Sequence, residues 1–317
     1  MANLNFDLFK ETIVEGIKDY LGSGFIDAEV EIKEVLKNND QLLTGLTLRR
    51  RDRNICPTLY LEPYFAAYED GKEIEEIMEK IASIYAEADA DSEGLFEQVQ
   101  DFDKYEKSKD KILPRLVNAE RNEERLKSIP HLAVSDLAII YFIDMGNDES
   151  GQMSVVIRND LMDRWGVSVE DLNKLAFENL ENRGDAEFKT MVETLAELMI
   201  PDYDEMSEEE KEEAREQFDM QDPGMYVLSN SSKTFGATAM LRESTMEEII
   251  SKLGEDFYIL PSSIHEVLIV PNREGMEVSE LKAMVVEVNA TQVAPEEVLS
   301  DNVYRYNSET KSIEIAS

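Results

Sequence analysis

"LAIIYFIDMGNDESGQMSVVIR", residues 137–158, decides the fold class. Leu137 to Ile143 form an apolar, β-branched run of strand length. "NDESG" is turn chemistry, and "GQMSVVIR" supplies a second strand able to pair back across it. The spacing therefore predicts an antiparallel hairpin, buried on its first strand. Helical patterns flank it on both sides, and strand–helix–strand units recur along the chain without an exact sequence repeat; the mixture points to an α+β fold. We expect a small N-terminal helix–antiparallel sheet–helix unit followed by a larger mixed α/β domain.

Downstream of the hairpin, "VSVEDLNKLAFENL" reads as a helix with Ser168 as N-cap and Leu172, Leu175, Ala176 and Leu180 as its buried stripe. A second helix is expected over about 187–199. Residues 201–224 are the acidic extreme: eleven acids face two bases between 201 and 222. Ser207 is the expected N-cap within this segment, which reads either as a solvated helix-bearing insert or as a partly disordered loop, with 203–220 removable without loss of the fold. "YVLSN", a turn and "GATAML" lead into a helix for which Ser244 and Glu247 have capping-box spacing. "FYILPSSIHEVLIVP" then gives two strands interrupted at Pro261. A helix over "VSELKAMVVEVNATQVA", a short helix opened by Pro295 and a closing hairpin, "VYRYNSETKSIEIA", complete the chain.

Upstream, Phe6, Phe9, Ile13, Ile17, Tyr20 and Leu21 recur at helical spacing before Gly22 and Gly24. Three strands follow, "AEVEIKEVL", "LTGLTLRRR" and "NICPTLYL", with "NND" as the first turn and Leu46 and Leu48 on one face. A helix from about Glu73 to Ala88 buries Ile74, Ile77, Met78, Ile81 and Tyr85. Residues 92–128 look helical and highly charged, with Pro114 ending or kinking that segment. The expected boundary is "SIP" at 128–130, giving domains 1–128 and 129–317.

The chain has 317 residues and a formal net charge of -37. Such a surface repels nucleic acid and anionic lipid and suits a basic protein partner. One cysteine excludes an intrachain disulfide and a cysteine zinc site. The N-terminus lacks the basic start and apolar core of a signal peptide, and no run has the length of a membrane span, so a cytoplasmic protein is expected. Arg49, Arg50, Arg51 and Arg53 cluster where one strand turns into the next. Residues 1–60 nevertheless carry ten acids against eight bases, so these arginines read as a solvated turn and not as a nucleic-acid grip.

Candidate chemistry is narrow. "HEVLI" at 265–269 begins like a zinc-protease helix, but position 269 is Ile and the context is a strand. No P-loop, dinucleotide turn or nucleophile elbow is present, and "MGNDESG" lacks the acid spacing of a calcium loop, so no metal or cofactor is expected. "PSSIHE" is the densest polar cluster. Ser263 and His265 share a strand face, and with Ser262 and Glu266 they are the candidates for a hydroxyl nucleophile and its base. The competing reading is a turn whose hydroxyls satisfy backbone groups. Cys56, between Ile55 and Pro57, reads as a packed thiol unless the arginines activate it.

Five segments, "NICPTLYLEPYFAAYEDG", "ILPRLVNAERNEERLKSIPH", "VIRNDLMDRWGVSVEDLNKLAFENL", "FYILPSSIHEVLIVP" and "VNATQVAPEEVLSDNVYRYN", together resemble a bacterial family known as domain of unknown function 5688. The resemblance implies a cytoplasmic protein of anaerobic Gram-positive bacteria, often associated with mobile elements. It implies no activity, cofactor or catalytic residue. Two functions are therefore carried forward. The first is a non-enzymatic interaction or regulatory protein, including a mobile-element-encoded inhibitor or DNA mimic. The second is an enzyme or small-ligand binder using Ser262 to Glu266.

Overall fold

The computed structural model describes residues 4–50, 56–99, 102–148, 151–217, 223–254, 256–261, 263–273, 275 and 277–316. The fold is α+β, and the chain forms two compact units, residues 1–103 and 104–317.

In the first unit, helix α1 (Phe6–Gly16) starts at Asn5, whose side chain accepts from the Leu8 amide. Three strands, β1 (Glu29–Leu36), β2 (Leu42–Arg49) and β3 (Thr58–Tyr60), form an antiparallel sheet in sequence order. Asn39 and Asp40 supply the positive φ angles of the β1–β2 turn. Helices α2 (Glu62–Glu69) and α3 (Ile74–Val99) follow. Phe9, Ile13 and Ile17, Leu46 and Leu48 of β2, and Ile77, Ile81 and Tyr85 of α3 form one core. The Tyr85 hydroxyl donates to the Leu46 carbonyl at 2.5 Å, giving the buried phenol its partner. The stripe expected on α3 thus packs as read. Helix α2 is an addition: "EPYFAAYE" places Pro63 in the first turn, where its missing N–H costs nothing.

The second unit opens with α4 (Tyr105–Ser108), β4 (Ile112–Asn118), α5 (Glu123–Leu126), β5 (His131–Val134), β6 (Leu137–Asp148) and β7 (Gly151–Val156). The long strand β6 is central: β4 pairs along one edge, while β5 and β7 share the other, meeting residues 137–140 and 142–148 respectively. The β6–β7 hairpin forms as expected. Strand β4 corrects the expected charged helix over 92–128. Pro114 is tolerated because β4 is an edge strand. The Leu116 amide points away from β6 to Thr238 Oγ1, so the nitrogen two residues earlier faces the same unladdered side.

Helices α6 (Asn159–Trp165) and α7 (Val169–Arg183) lead to β8 (Ala186–Thr190), α8 (Met191–Met199), α9 (Glu208–Gln217) and β9 (Tyr226–Asn230). Ser168 and Asp171 form the capping box of α7, and Leu172, Ala176 and Leu180 are buried. The helix expected over 187–199 starts only at Met191. Residues 186–190 pair with β9, Phe188 stacks on Tyr226, and Thr190 with Glu193 caps α8.

The chain ends with α10 (Glu243–Leu253), β10 (Phe257–Leu260), β11 (Val267–Pro271), α11 (Val278–Thr291), β12 (Tyr304–Asn307) and β13 (Ser312–Ile315). The second sheet has the order β13-β12-β10-β11-β9-β8. Tyr258 and Leu260 face Leu281 and Val285 of α11, while Phe257 and Ile259 are buried on the opposite face. Ser244 does not cap α10. Arg242 holds that position without a side-chain capping bond, and the Ser244 hydroxyl donates to Glu181 instead. The short helix expected after Pro295 is a turn, ended by a bridge between Val298 and Ser263.

Candidate functional site

The turn between β10 and β11 is held from two sides. The Ile264 amide donates to the Glu297 carbonyl, the Ser300 amide to the Pro261 carbonyl, and the Ala237 amide to the Ile264 carbonyl. Gly236 fits beneath it: a Cβ there would lie 2.3 Å from Ser229 Oγ, 2.6 Å from the Asn230 nitrogen and 2.7 Å from the His265 carbonyl oxygen. Hydroxyl chemistry in the turn is local. Ser263 Oγ accepts from the His265 backbone amide at 3.0 Å, and Ser229 Oγ donates to the His265 carbonyl at 2.8 Å. Ser262 lies outside the described residues, and Glu266 is exposed.

The His265 ring is fixed by other partners. The Phe235 amide donates to Nδ1 at 3.2 Å, which leaves the neutral ring's proton on Nε2, 3.3 Å from Glu297 Oε1. The imidazole stacks on Phe235 with centroids 5.3 Å apart. Beyond Phe235 lies Arg115 of β4, its guanidinium carbon 3.2 Å from that ring's centroid and 4.3 Å from that of Phe142. His265, Glu297, Phe235 and Arg115 therefore form one stack. No sequence signal joins them, since they lie on four separate segments.

A second polar cluster is centred on a half-buried carboxylate. Asp136, in the β5–β6 turn, accepts from Ser300 Oγ at 2.6 Å, Asn302 Nδ2 at 3.0 Å and the Tyr304 hydroxyl at 2.5 Å. Burial pushes its carboxyl up, but those three hydrogen bonds outweigh burial and hold it below the usual carboxylate value. The Asn118 side chain adds a bond to the Leu299 carbonyl. Residues 297–304 thereby tie the four-stranded sheet to the six-stranded one.

The acidic segment has a different character. Ser207 caps α9 as expected, exchanging bonds with Glu210. Glu208, Glu209, Glu212, Glu213 and Glu216 are exposed. The segment is not a loose insert, however. Tyr203 is 3% exposed and packs with Ala196 of α8 and with Ile200 just after it, and Met206 and Ala214 close over them. The anchors Tyr203, Met206 and Ala214 are sparse among the acids, which hid them in the sequence. Helix α8 also presents Leu195, Leu198 and Met199 to water at i, i+3 and i+4, with Leu198 at 73% and Met199 at 57% exposure.

The remaining candidates are quieter. Cys56 Sγ donates to the Leu48 carbonyl at 3.0 Å, and burial pushes the thiol up, away from thiolate reactivity. Arg50 is half-buried over the Phe25 ring, not in open solvent; Arg51 and Arg53 lie outside the described residues. An open groove of about 680 Å³ is lined by Asp110, Lys111, Asp144, Asn179, Asn182 and Arg183. Its central charges are already paired, Arg183 with Asp144 at 2.7 Å and with Asp185. Among the described residues no cluster of three metal-ligating side chains occurs, and no helix is long and apolar enough to cross a membrane.

The model of the Family of unknown function (DUF5688) matches residues 6–308. No curated protein and no solved structure matches the chain.

Proposed function

The chain belongs to the family of unknown function DUF5688, and from its geometry we propose a non-enzymatic protein-interaction factor whose α8–α9 surface takes a basic, amphipathic protein segment. One observation carries this reading. An exposed apolar triplet, Leu195, Leu198 and Met199, lies on the helix against which the acidic helix α9 is anchored. Exposed apolar side chains beside carboxylates suit a helix with one apolar face and flanking Lys or Arg. Charge attraction would accelerate encounter, and burial of the triplet would hold the complex.

A mobile-element-encoded inhibitor that mimics DNA is one form of this proposal; the basic segment would then belong to a DNA-binding protein. The proposed place of action is the cytoplasm. The rival, an enzyme or ligand binder at Ser262–Glu266, has less support. Ser263 spends its lone pair on a backbone amide, and the ring nitrogens of His265 face Phe235 and Glu297.

The test is a binding titration with two labelled peptides of equal positive charge, one amphipathic when helical and one scrambled. The amphipathic peptide should bind at least about tenfold more tightly, a difference worth about 1.4 kcal/mol. Affinity should fall with salt, and Leu198→Ser with Met199→Ser should erase the preference. Equal binding of both peptides, or a preference that survives the double substitution, would overturn the proposal.

A further inference from the structure

Arg115 is a cation placed where cations are costly. Its residue is 7% exposed, in a chain whose formal charge is -37. Burial holds its guanidinium down to about 9, still protonated at neutral pH. Arg125 repels it further, and the weaker attraction of Asp144 does not offset these effects. Among the described residues no carboxylate lies within ion-pair distance of it, and Asp144 is engaged by Arg183. A buried charge without a partner is a rare arrangement in a folded protein.

The surroundings define where a partner would go. Phe235 lies over the guanidinium, and Phe142, inclined to Phe235 by 52°, packs against it from a second direction. Contact with the two rings is favourable to the cation but supplies no strong hydrogen-bond acceptor. Acceptors can approach only in the plane of the fork, where the N–H groups point. There Nη2 donates to Ser154 Oγ at 3.2 Å, a neutral partner, and the buried Nε has none. Ser154 is half-exposed and lies on β7, an edge strand, opposite Asp144 of β6. The plane of the fork therefore leads from the sheet interior toward the β7 edge.

We propose that Arg115 is the charged floor of an anion site, entered past Ser154, which takes a carboxylate or phosphate oxyanion in the plane of the guanidinium. Planar or tetrahedral oxyanions match the parallel N–H pair of the fork, whereas a spherical ion meets only one donor well. The Ser154 hydroxyl, already oriented by Nη2 as acceptor, has its own proton to donate to a bound oxygen. The two phenylalanine rings keep water from the guanidinium where they pack on it, which strengthens the charge-assisted bonds. His265 stacks on the far side of Phe235 and positions that ring without touching the anion.

The experiment uses the full chain, titrated with sodium phosphate, sodium acetate and sodium chloride at constant ionic strength. Melting temperature and the arginine Nε–H resonances in NMR are followed. Phosphate or acetate should raise Tm saturably by about 3–6 °C at ten times Kd and should shift one protected arginine Nε–H. Chloride should do neither. Arg115→Lys should weaken the response at least about tenfold, since a point charge replaces the fork. Ser154→Ala should weaken it about three- to tenfold, with basic-peptide binding at α8–α9 unchanged. A wild-type protein without a saturable response, or one that answers chloride equally, overturns the site. So does an unchanged response in Ser154→Ala, a substitution on a half-exposed edge strand that decides the matter even if the Arg115 variant fails to fold.

Discussion

The carboxylates of α9 and the guanidinium of Arg115 lie in the same compact unit, yet they meet opposite physics. Glu208, Glu209, Glu212, Glu213 and Glu216 stand in water, where each keeps its hydration and interacts weakly with its neighbours. Arg115 has traded hydration for two aromatic faces and one hydroxyl. Charge on α9 is therefore inexpensive and available to a partner, while charge at Arg115 demands a local answer. Between these extremes lies Asp136, half-buried and fully provided with donors. The difference teaches that the number of acids in this sequence says little about where charge acts; solvation decides.

The comparison breaks most visibly if the packing beneath the stack is altered. Gly236→Ala should cost about 3 kcal/mol or more, because the new Cβ meets backbone atoms that cannot rotate aside. Thermal melting should show a fall of roughly 6–12 °C. A loss below about 1 kcal/mol would mean that the 236–241 segment yields easily.

Tyr203→Ala tests the inner side of the acidic segment. It empties the small cluster with Ala196 and Ile200 and should cost about 2–3 kcal/mol. Chemical denaturation should detect it, and α9 should become protease-sensitive. An unaffected midpoint would restore the view of 201–224 as a removable insert.

Asp136→Asn should cost roughly 1–2 kcal/mol at neutral pH, since the amide keeps the shape but loses charge-assisted acceptance. The folded carboxyl ionises below its unfolded value of about 3.9. Its stabilisation is therefore complete above that pH and is lost as pH falls through the folded value. The difference between wild type and variant should be constant from about pH 5 to 8 and shrink in stronger acid. A difference that grows on acidification would contradict the assignment.

The smallest effect sharpens the outer side. Replacing Glu208, Glu212 and Glu213 with Gln should move stability by no more than about 0.5 kcal/mol, yet lower basic-peptide affinity and flatten its salt dependence. A large stability loss would show that these carboxylates do structural work not visible in their exposure.

Much of the architecture was legible in local pattern. The β6–β7 hairpin, the α7 stripe under Ser168 and the α3 stripe through Tyr85 follow from periodicity and turn chemistry. The errors share a cause. "ILPRLVN" lies inside a highly charged stretch that reads as helical, with Pro114 as its end or kink, and only pairing with β6 shows a strand there, at an edge that tolerates Pro114. "AEFKT" looked like the start of α8 because strand pairing with β9 is invisible in a single segment. Ser244 had the right spacing for a cap, but a hydroxyl goes to the stronger acceptor that the fold brings, here Glu181. At the candidate site, "PSSIHE" announced a turn correctly while its partners, residues 235–237 and 297–300, gave no local sign.

Sequence alone determined what depends on neighbours along the chain: helix stripes, turn positions, the acidic surface and the family membership. The tertiary structure alone decided which edge strand could keep Pro114, which glutamates ride on a buried Tyr203, and that Arg115 would be clasped by Phe142 and Phe235. The physical reason is range. Propensity and periodicity act within a few residues, whereas desolvation and the satisfaction of buried donors depend on which distant segments meet.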